Sequence, residues 1–483
     1  MNAIVIGSGI GGLTASIRLA AAGHHVVVLE RNPVLGGKVA ELDEAGYHFD
    51  QGPTLLTMPH LFDEVFQLAG TSLRDEVELI RLDPQIRYRW PNGSTLEVPD
   101  DALAMPDAID ALSPGAGDSW RAFADHAAKL WDVSERTFLA GPMGSPMSML
   151  SRMTSPFDIA RIDGNRTLAK ASASFFDDPR LQQLVNRYAT YSGSSPYGAP
   201  ATLACIAHVE QAFGAWYVRG GMGRLRDALV RIAESIGVEI RTGVDVGQIS
   251  ADGGVVTGVQ FADGGSEQAE IVISNVDAAH LYVDLLPDPK QAKKLDKMGR
   301  SASAFVVCAA VRGRTEGIAH HNVFFSLHDE QEFRYLSAGQ LPIDQTIYAS
   351  VSSVTDATQA PQDCENWYVL VQTPPAIGID RKLMTAGVLN RLAERGVDLR
   401  ERIEFTRTLL PADFDARYRA PGGSIYGTSS NGKRAAFSRP SNVGPVHGLY
   451  LVGGSTHPGG GLPLVATSAR IVADLVAERH GGS

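Results

Sequence analysis

The sequence of 483 residues predicts an α/β protein with a discontinuous, Rossmann-type nucleotide-binding domain and a second, α+β domain. A strand–glycine-rich turn–helix–strand pattern opens the chain, and a strand–glycine-rich loop–helix pattern closes it. Segments this far apart in sequence share one sheet only if the chain leaves the first domain and later returns to it. Since a single hydrophobic core rarely serves more than about 300 residues, the length also predicts a second domain.

The first 30 residues have the pattern of a βαβ unit that binds a dinucleotide. Gly7 permits a tight turn, Gly9 lets the backbone approach a pyrophosphate, and Gly12 allows close packing of the helix. Glu30 ends the second strand, where its carboxylate can accept hydrogen bonds from a ribose. Arg31 alone would suit a 2′-phosphate, but the neighbouring Glu30 would repel one.

Composition excludes several classes of protein. Hydrophobic residues make up 44% of the chain and charged residues 20%, which is typical of a globular protein rather than a disordered one. The net charge of −11 argues against a nucleic-acid partner, because phosphate binding needs dense Lys and Arg. The three cysteines lie far apart, so we expect neither a disulfide framework nor a cysteine-based metal site. No signal peptide or membrane span is evident, so we expect a cytoplasmic protein.

Two further glycine-containing runs identify the dinucleotide. Gly36, Gly37 and Lys38 form one run, and Gly52 and Pro53 end the other, Phe-Asp-Gln-Gly-Pro. The pair resembles the glutathione-reductase-like flavoproteins with an amine-oxidase-type fold. That resemblance implies that the first run closes on the pyrophosphate of FAD and that the second lies along its ribityl chain and flavin. NAD is shorter than FAD and does not require this additional backbone.

The C-terminal pattern is more specific. A strand over 449–452 is followed by a glycine-rich loop with the sequence Thr-His-Pro-Gly-Gly-Gly-Leu-Pro and then by a helix. This run resembles the corresponding segment of the carotenoid (phytoene-type) desaturases. The resemblance implies that FAD is contacted by Gly453, Gly454, Gly461, Pro463 and Leu464. No cysteine lies near this loop, so we expect the FAD to be held non-covalently.

The centre of the chain agrees with this family. Residues 220–237 predict a helix, and apolar runs up to residue 274 predict an antiparallel meander that includes 270–274. The resemblance implies that this meander covers the adenine and that Val246 contacts it. The run Arg-Tyr-Ala-Thr-Tyr-Ser-Gly over 187–193 also resembles the desaturases.

The motif positions predict a division into two domains. Residues 1–72, 205–290 and 420–483 form the FAD-binding domain, and residues 73–204 and 291–419 form the substrate domain. Within the second domain, β-like runs near 304–311 and 367–372 predict a sheet over the flavin, and 102–190 predicts helices.

Few residues are candidates for catalysis, as expected when the cofactor supplies the chemistry. Asp163 and Arg166 have i, i+3 spacing on a possible helix and form a candidate catalytic pair, although a solvated ion pair is the more ordinary interpretation. His457 either polarises the flavin or orders its loop. Tyr188, Tyr191 and Tyr197 either line an apolar channel or belong to the core.

The resemblance implies an FAD-dependent desaturase whose substrate is a lipid-soluble carotenoid. Hydride would leave an allylic carbon and a proton its neighbour, and the electrons would then pass to a quinone or to oxygen. A flavin-dependent carotene isomerase is the related alternative. An amine oxidase is a further alternative, which requires an aromatic cage that the sequence does not reveal. The final Gly-Gly-Gly-Leu-Pro departs from the family's usual Gly-Ala-Gly-Ile-Pro, which leaves open a hydroxylated or shorter carotenoid.

A lipid-soluble substrate predicts a peripheral contact with a membrane surface, and residues 136–170 are the candidate. This segment has five basic against two acidic residues. It also contains four of the chain's ten methionines, Met143, Met147, Met149 and Met153. Flexible apolar side chains and positive charge both favour contact with an anionic bilayer. An ordinary flexible loop is the alternative.

Overall fold

Two large sheets organise the chain in a computed structural model that describes residues 1–143, 152–153, 155, 158–432 and 435–480. In chain order, the strands are β1 (Asn2–Ile6), β2 (His25–Glu30), β3 (Glu41–Glu44), β4 (Tyr47–Asp50), β5 (Leu79–Arg81), β6 (Ile86–Arg89), β7 (Thr95–Val98), β8 (Trp216–Val218), β9 (Glu239–Thr242), β10 (Val246–Asp252), β11 (Val255–Phe261), β12 (Ser266–Gln268), β13 (Ile271–Ser274), β14 (Ser303–Arg312), β15 (His321–Phe324), β16 (Ile347–Ser350), β17 (Cys364–Thr373), β18 (Ile403–Leu409) and β19 (Leu449–Leu451).

Helices cover both sheets. In chain order, they are α1 (Ile10–Ala21), α2 (His60–Leu68), α3 (Leu73–Glu76), α4 (Met105–Leu112), α5 (Gly117–Ser134), α6 (Asp158–Arg161), α7 (Leu168–Phe175), α8 (Pro179–Asn186), α9 (Cys205–Phe213), α10 (Gly223–Ser235), α11 (Ala278–His280), α12 (Pro289–Met298), α13 (Asp329–Ser337), α14 (Arg381–Glu394), α15 (Pro411–Tyr418), α16 (Ala435–Ser438) and α17 (Leu462–His480). Across these described residues, no helix is both long and apolar enough to cross a membrane.

The first sheet is parallel and has the order β19–β13–β1–β2–β9. Residues 3–6 of its central strand are all buried, because one face of the sheet packs against helices α1, α10 and α17 and the other packs in part against strands β10 and β11. Helix α1 follows the glycine-rich turn and lies against α10 and α17. The opening βαβ pattern and the closing strand–loop–helix pattern therefore meet in one sheet, as the sequence predicts.

One element differs from the sequence-based expectation. Residues 270–274 do not extend the antiparallel meander, which consists of β10, β11 and β12. Instead β13 pairs in parallel with β1 and β19 in the first sheet. All four of its residues are buried, so the run Ile-Val-Ile-Ser has the continuous burial of a central parallel strand rather than an alternating pattern.

The second sheet has seven strands in the order β18–β14–β17–β16–β15–β6–β7. Its longest pair is β14 and β17, which align antiparallel over ten residue pairs. One face of β14, including Phe305, packs into a core with α14, and the opposite face, including Ala304, packs against the β3–β4 hairpin. The strands of the first sheet and those of the second come from the chain segments expected for the two domains, and the domain boundaries stay a prediction.

We expect Gly12→Ala to lower the free energy of unfolding by about 1–3 kcal/mol, which is the usual cost of overpacking. A Cβ at Gly12 would overlap the carbonyl oxygen of Gly7, so α1 would have to move away from β1. The gain in helix propensity, about 1 kcal/mol, is smaller than that overlap. Gly378→Ala is the control, because nothing lies within 4 Å of a Cβ there. Equal urea midpoints for the two variants would contradict this prediction.

Candidate active site

Two cavities lie side by side between the sheets. The smaller has a volume of about 370 Å³ and extends along the carboxyl ends of the first sheet, and the larger has a volume of about 510 Å³. Residues of the second sheet, of the segment after β4, of the segment after α15 and of the C-terminal loop line both cavities, namely Gly52, Pro53, Tyr368, Leu370, Ile425, Tyr426, Gly460, Gly461 and Leu462. The two cavities therefore share a common wall segment, which we call the junction.

The turn before α1 forms one wall of the smaller cavity. Gly7 has a φ of +95°, and a Cβ at Gly9 would lie only 2.7 Å from the Asn275 Nδ2 atom. No side chain caps α1, whose first residue, Ile10, lines the cavity. The first N–H groups of a helix lack partners within it and carry its positive end, so this wall suits a pyrophosphate.

Glu30 lines the same cavity and is held by neighbouring groups on both carboxylate oxygens. One oxygen accepts from the backbone N–H and the hydroxyl of Ser8, at 2.9 and 2.7 Å. The other accepts from the backbone N–H and the side-chain amide of Asn32, at 2.8 and 2.9 Å. These four bonds fix the position of the carboxylate and occupy its four lone-pair sites, so a ribose hydroxyl binds it only by replacing one of these donors.

The two basic residues predicted from the sequence, Arg31 and Lys38, also line the smaller cavity, as do Arg417 and Arg419. The Arg31 guanidinium donates to the backbone carbonyls of Ala416 and Arg417, at 3.0 and 2.8 Å, and so ties β2 to α15. The Lys38 ammonium donates to the carbonyl of Ile425 at 2.8 Å, beside the junction. Burial lowers the pKa of Lys38 from its usual value.

The structure brings the other predicted cofactor residues to the same region with three exceptions. The predicted residues that line the smaller cavity are Gly36, Gly37, Gly52, Pro53, Val246, Gly453, Gly454 and Gly461. Gly12 lies behind this wall, where it packs on the turn. Pro463 and Leu464 line the larger cavity instead.

Sequence reasoning missed two residues that hold the cavity walls together. Asn275 follows β13 and donates from Nδ2 to the carbonyl of Gly7 at 3.3 Å. Arg439 is buried and donates from Nη1 to the carbonyls of Tyr426 and Gly454, at 3.2 and 3.3 Å. Burial lowers its pKa to about 10. Correct assignment of β13 would have indicated Asn275, since ligands bind at the carboxyl ends of parallel strands, whereas no sequence signal indicates Arg439.

The larger cavity is mostly apolar. Its apolar lining includes Leu55, Trp131, Phe138, Leu139, Ile162, Leu203, Ile206, Val209, Phe325 and Phe333. Polar side chains interrupt this surface, among them Thr54, Arg187, Tyr191, Glu210, His321 and Tyr348. Tyr191 donates to Glu210, whose pKa is raised by burial. An elongated apolar molecule would fill such a cavity with few unsatisfied groups.

His457 orders the C-terminal loop. Its Nε2 atom lies 2.8 Å from the carbonyl oxygen of Phe138 and 3.2 Å from that of Gly141, so an Nε2–H donates to both. Burial lowers its pKa to about 4, which keeps the ring neutral near pH 7. Of the two roles considered from the sequence, these contacts favour the ordering role.

Asp163 and Arg166 form an ion pair but do not lie on a helix. Asp163 has a φ of +52°, and the chain turns here between α6 and α7. Its carboxylate accepts from Arg166 Nε at 2.8 Å and contacts His126 Nε2 at 3.1 Å. Their neighbours Ile162 and Gly164 line the larger cavity, whereas neither member of the pair does. A catalytic role for the pair stays a prediction.

The candidate membrane-contact segment, 136–170, falls partly outside the described residues. Met147 and Met149 lie outside them, and Met143 and Met153 lie at the borders of the described part. On the cavity side of the segment, Phe138 lines the larger cavity. Contact with a membrane stays a prediction.

Comparisons with known proteins agree with this geometry. The chain is 36% identical over 481 residues to the hydroxyneurosporene desaturase of Cereibacter sphaeroides, with 98% of this chain and 97% of that protein covered. It is 33% identical to the 1-hydroxycarotenoid 3,4-desaturase of a Flavobacterium species (98% and 99% covered) and 34% identical to the 4,4′-diapolycopene oxygenase of a Methylomonas species (98% and 97% covered).

The fold is also found among solved structures. An oxidoreductase from Methanosarcina mazei superimposes with a TM-score of 0.66 at 19% identity, with 98% of this chain and 100% of that chain covered. Residues 10–477 match the model of the flavin-containing amine oxidoreductases. The chain is therefore an oxidoreductase with FAD as its cofactor, and it belongs to the flavin-containing amine oxidoreductase family.

Proposed function

We propose that the smaller cavity holds FAD and that the larger cavity holds a carotenoid, which the enzyme desaturates. The observation that carries this proposal is the junction, where a glycine-lined cavity and a mostly apolar cavity share one wall. The names of two relatives, a hydroxyneurosporene desaturase and a 1-hydroxycarotenoid 3,4-desaturase, support the substrate class.

Residues of the smaller cavity divide the work of holding FAD. The turn Gly7–Gly9 and the start of α1 bind the pyrophosphate, while Glu30 accepts hydrogen bonds from the ribose next to the adenine. Val246 packs against the adenine, and Lys38 carries its positive charge towards the junction. The flavin ring, when bound, accepts a hydride.

The larger cavity positions the polyene and excludes water. Apolar lining side chains gain free energy from contact with a hydrocarbon at about 25 cal/mol per Å². The substrate loses a hydride from one allylic carbon and a proton from the adjacent carbon, so a new double bond extends the polyene. The two electrons then leave for a quinone or for oxygen. Asp163 and Arg166 remain candidates for the proton transfer.

A carotenoid oxygenase is the second candidate, because a 34% identical relative carries that name. The carotene isomerase and the amine oxidase remain further alternatives. Desaturation removes two hydrogens, oxygenation adds oxygen, isomerisation leaves the mass unchanged, and amine oxidation leaves the carotenoid unchanged. Product mass therefore separates all four.

We expect Glu30→Ala to weaken FAD binding by about 1–3 kcal/mol, the cost of losing a charged hydrogen bond. The control, Glu30→Gln, retains one acceptor oxygen, so its loss of affinity should be smaller. Fluorescence titration of the apoprotein with FAD measures both. Unchanged affinity in Glu30→Ala would mean that the ribose lies elsewhere.

We expect acid precipitation to release all of the flavin into the supernatant. Cys205 is a cysteine that lines the larger cavity, and burial raises the pKa of its thiol to about 12, so almost no nucleophilic thiolate exists at neutral pH. The absorbance of the supernatant measures the released flavin. Flavin that remains in the washed pellet would contradict non-covalent binding.

We expect the purified holoenzyme to convert a lipid-dispersed acyclic carotenoid to a product that has lost two hydrogens and absorbs at longer wavelength. The reaction should be run without oxygen and with a quinone, and separately in air without the quinone, to identify the electron acceptor. When both the quinone and oxygen are omitted, each flavin can be reduced only once, so at most one product molecule forms per flavin. A product of increased or unchanged mass in both arms would overturn desaturation in favour of oxygenation or isomerisation. Peroxide formed from amines, with the carotenoid unchanged, would favour an amine oxidase.

A further inference from the structure

A hydrogen-bonded chain of three side chains lies in the wall of the larger cavity. The Tyr348 hydroxyl is 2.8 Å from His321 Nδ1 and 2.6 Å from the Thr54 hydroxyl. Thr54 directly follows Pro53, which lines both cavities. These three side chains therefore lie next to the junction, where the reacting part of a substrate has to lie.

This series of hydrogen bonds ends at His321, in a polar atom that has no partner among the described residues. His321 lines the cavity but has only 1% of its surface exposed, and its Nε2 atom, which is closed off from solvent, has no hydrogen-bond partner among the described residues. A ligand in the cavity reaches this atom only if the surrounding side chains move. Burial and the nearby His320 and Arg187 lower the pKa of His321, so its ring is neutral. A buried polar atom without a partner costs free energy, and native proteins seldom leave one unpaired.

The two tautomers of His321 require different partners for Nε2, and a hydroxyl can serve as either. If Tyr348 donates to Nδ1, then Nε2 carries the hydrogen and is an unpaired donor. If Nδ1 donates to Tyr348, then Nε2 is an unpaired acceptor. A hydroxyl both donates and accepts, so it satisfies His321 in each case, whereas a hydrocarbon satisfies it in neither.

The charge around this atom further narrows the partner. The guanidinium carbon of Arg187 lies 5.9 Å from the centre of the Tyr348 ring and 5.2 Å from that of Tyr191. Arg187 also donates to the Tyr191 hydroxyl at 3.1 Å. The guanidinium disfavours a cationic ligand such as an ammonium group and tolerates a neutral oxygen, although Glu210, which accepts from Tyr191, offsets part of its charge.

We propose that His321 Nε2 binds a hydroxyl group that the polyene carries a few carbons from the bond to be oxidised, with Tyr348 and Thr54 as positioning residues. This proposal rests on the proposed function, because it assigns a substrate group to the same cavity. This contact makes the enzyme selective for hydroxylated polyenes. A polyene without the hydroxyl would leave His321 Nε2 buried and unpaired, so it would bind more weakly.

The test compares an acyclic carotenoid that carries a hydroxyl at carbon 1 with the hydrocarbon of the same length and unsaturation. Both are dispersed in phosphatidylcholine vesicles, and binding to the holoenzyme is followed by tryptophan fluorescence. We expect the hydroxylated compound to bind at least about tenfold more tightly. Tyr348→Phe and His321→Leu should each reduce this ratio to near one, mainly through weaker binding of the hydroxylated compound.

Tyr450→Phe is the matched control. Tyr450 is buried and, like Tyr348, contacts a histidine, with its hydroxyl 3.1 Å from His480 Nε2, but it lines neither cavity. We expect Tyr450→Phe to keep the selectivity for the hydroxylated compound. The flavin content of each purified variant checks its folding. Equal affinity of the parent enzyme for both compounds would mean that water satisfies His321 and would overturn the inference, as would equal loss of both affinities in Tyr348→Phe. Selective binding without desaturation would instead support the hydroxyl site and refute the proposed function.

Discussion

The close approach of three backbone segments around one amide side chain is the constraint on which the rest of the structure depends. The turn after β1, the residue after β13 and the loop after β19 converge at Asn275. A Cβ at Gly9, Gly11 or Gly453 would lie 2.7 Å from its side-chain atoms. Because β1, β13 and β19 are parallel neighbours, their carboxyl ends meet at one edge of the sheet. Segments that are hundreds of residues apart in sequence therefore have to return to this point.

The return of the chain creates two cavities with different physical characters. Glycine-rich turns and polar side chains such as Glu30 and Lys38 line the smaller one, which suits a long polar cofactor that needs many hydrogen-bonding partners. Side chains of the second sheet and of the helices surround the larger one, which suits a hydrocarbon. Arg439 joins the two by donating to the Tyr426 segment at the junction and to the Gly454 loop. Its buried charge is tolerable because backbone carbonyls surround the guanidinium.

Much of this site could be predicted from local sequence patterns, because glycine spacing and strand–turn–helix order are local. The turn at Gly7 and the acid at Glu30 are examples. Asn275 was missed because β13 was assigned to the meander, an error that arises because a short apolar run does not reveal its pairing partner. His321 and Tyr348 were missed for a different reason. They come from neighbouring strands, β15 and β16, and only tertiary pairing brings them beside Thr54.

An apolar cavity cannot by itself choose which bond of a polyene is oxidised. Successive units of the polyene present nearly the same surface, so sliding the polyene by one unit changes its buried area little. Only a group that differs from the repeat, such as a terminal hydroxyl, can fix the position of the chain. The polar side chains of the larger cavity, among them Arg187, Glu210 and Tyr191, are the part of the wall that can recognise such a group. Burying these side chains costs free energy. That cost is accounted for if the role of these side chains is to fix the position of the substrate relative to the flavin.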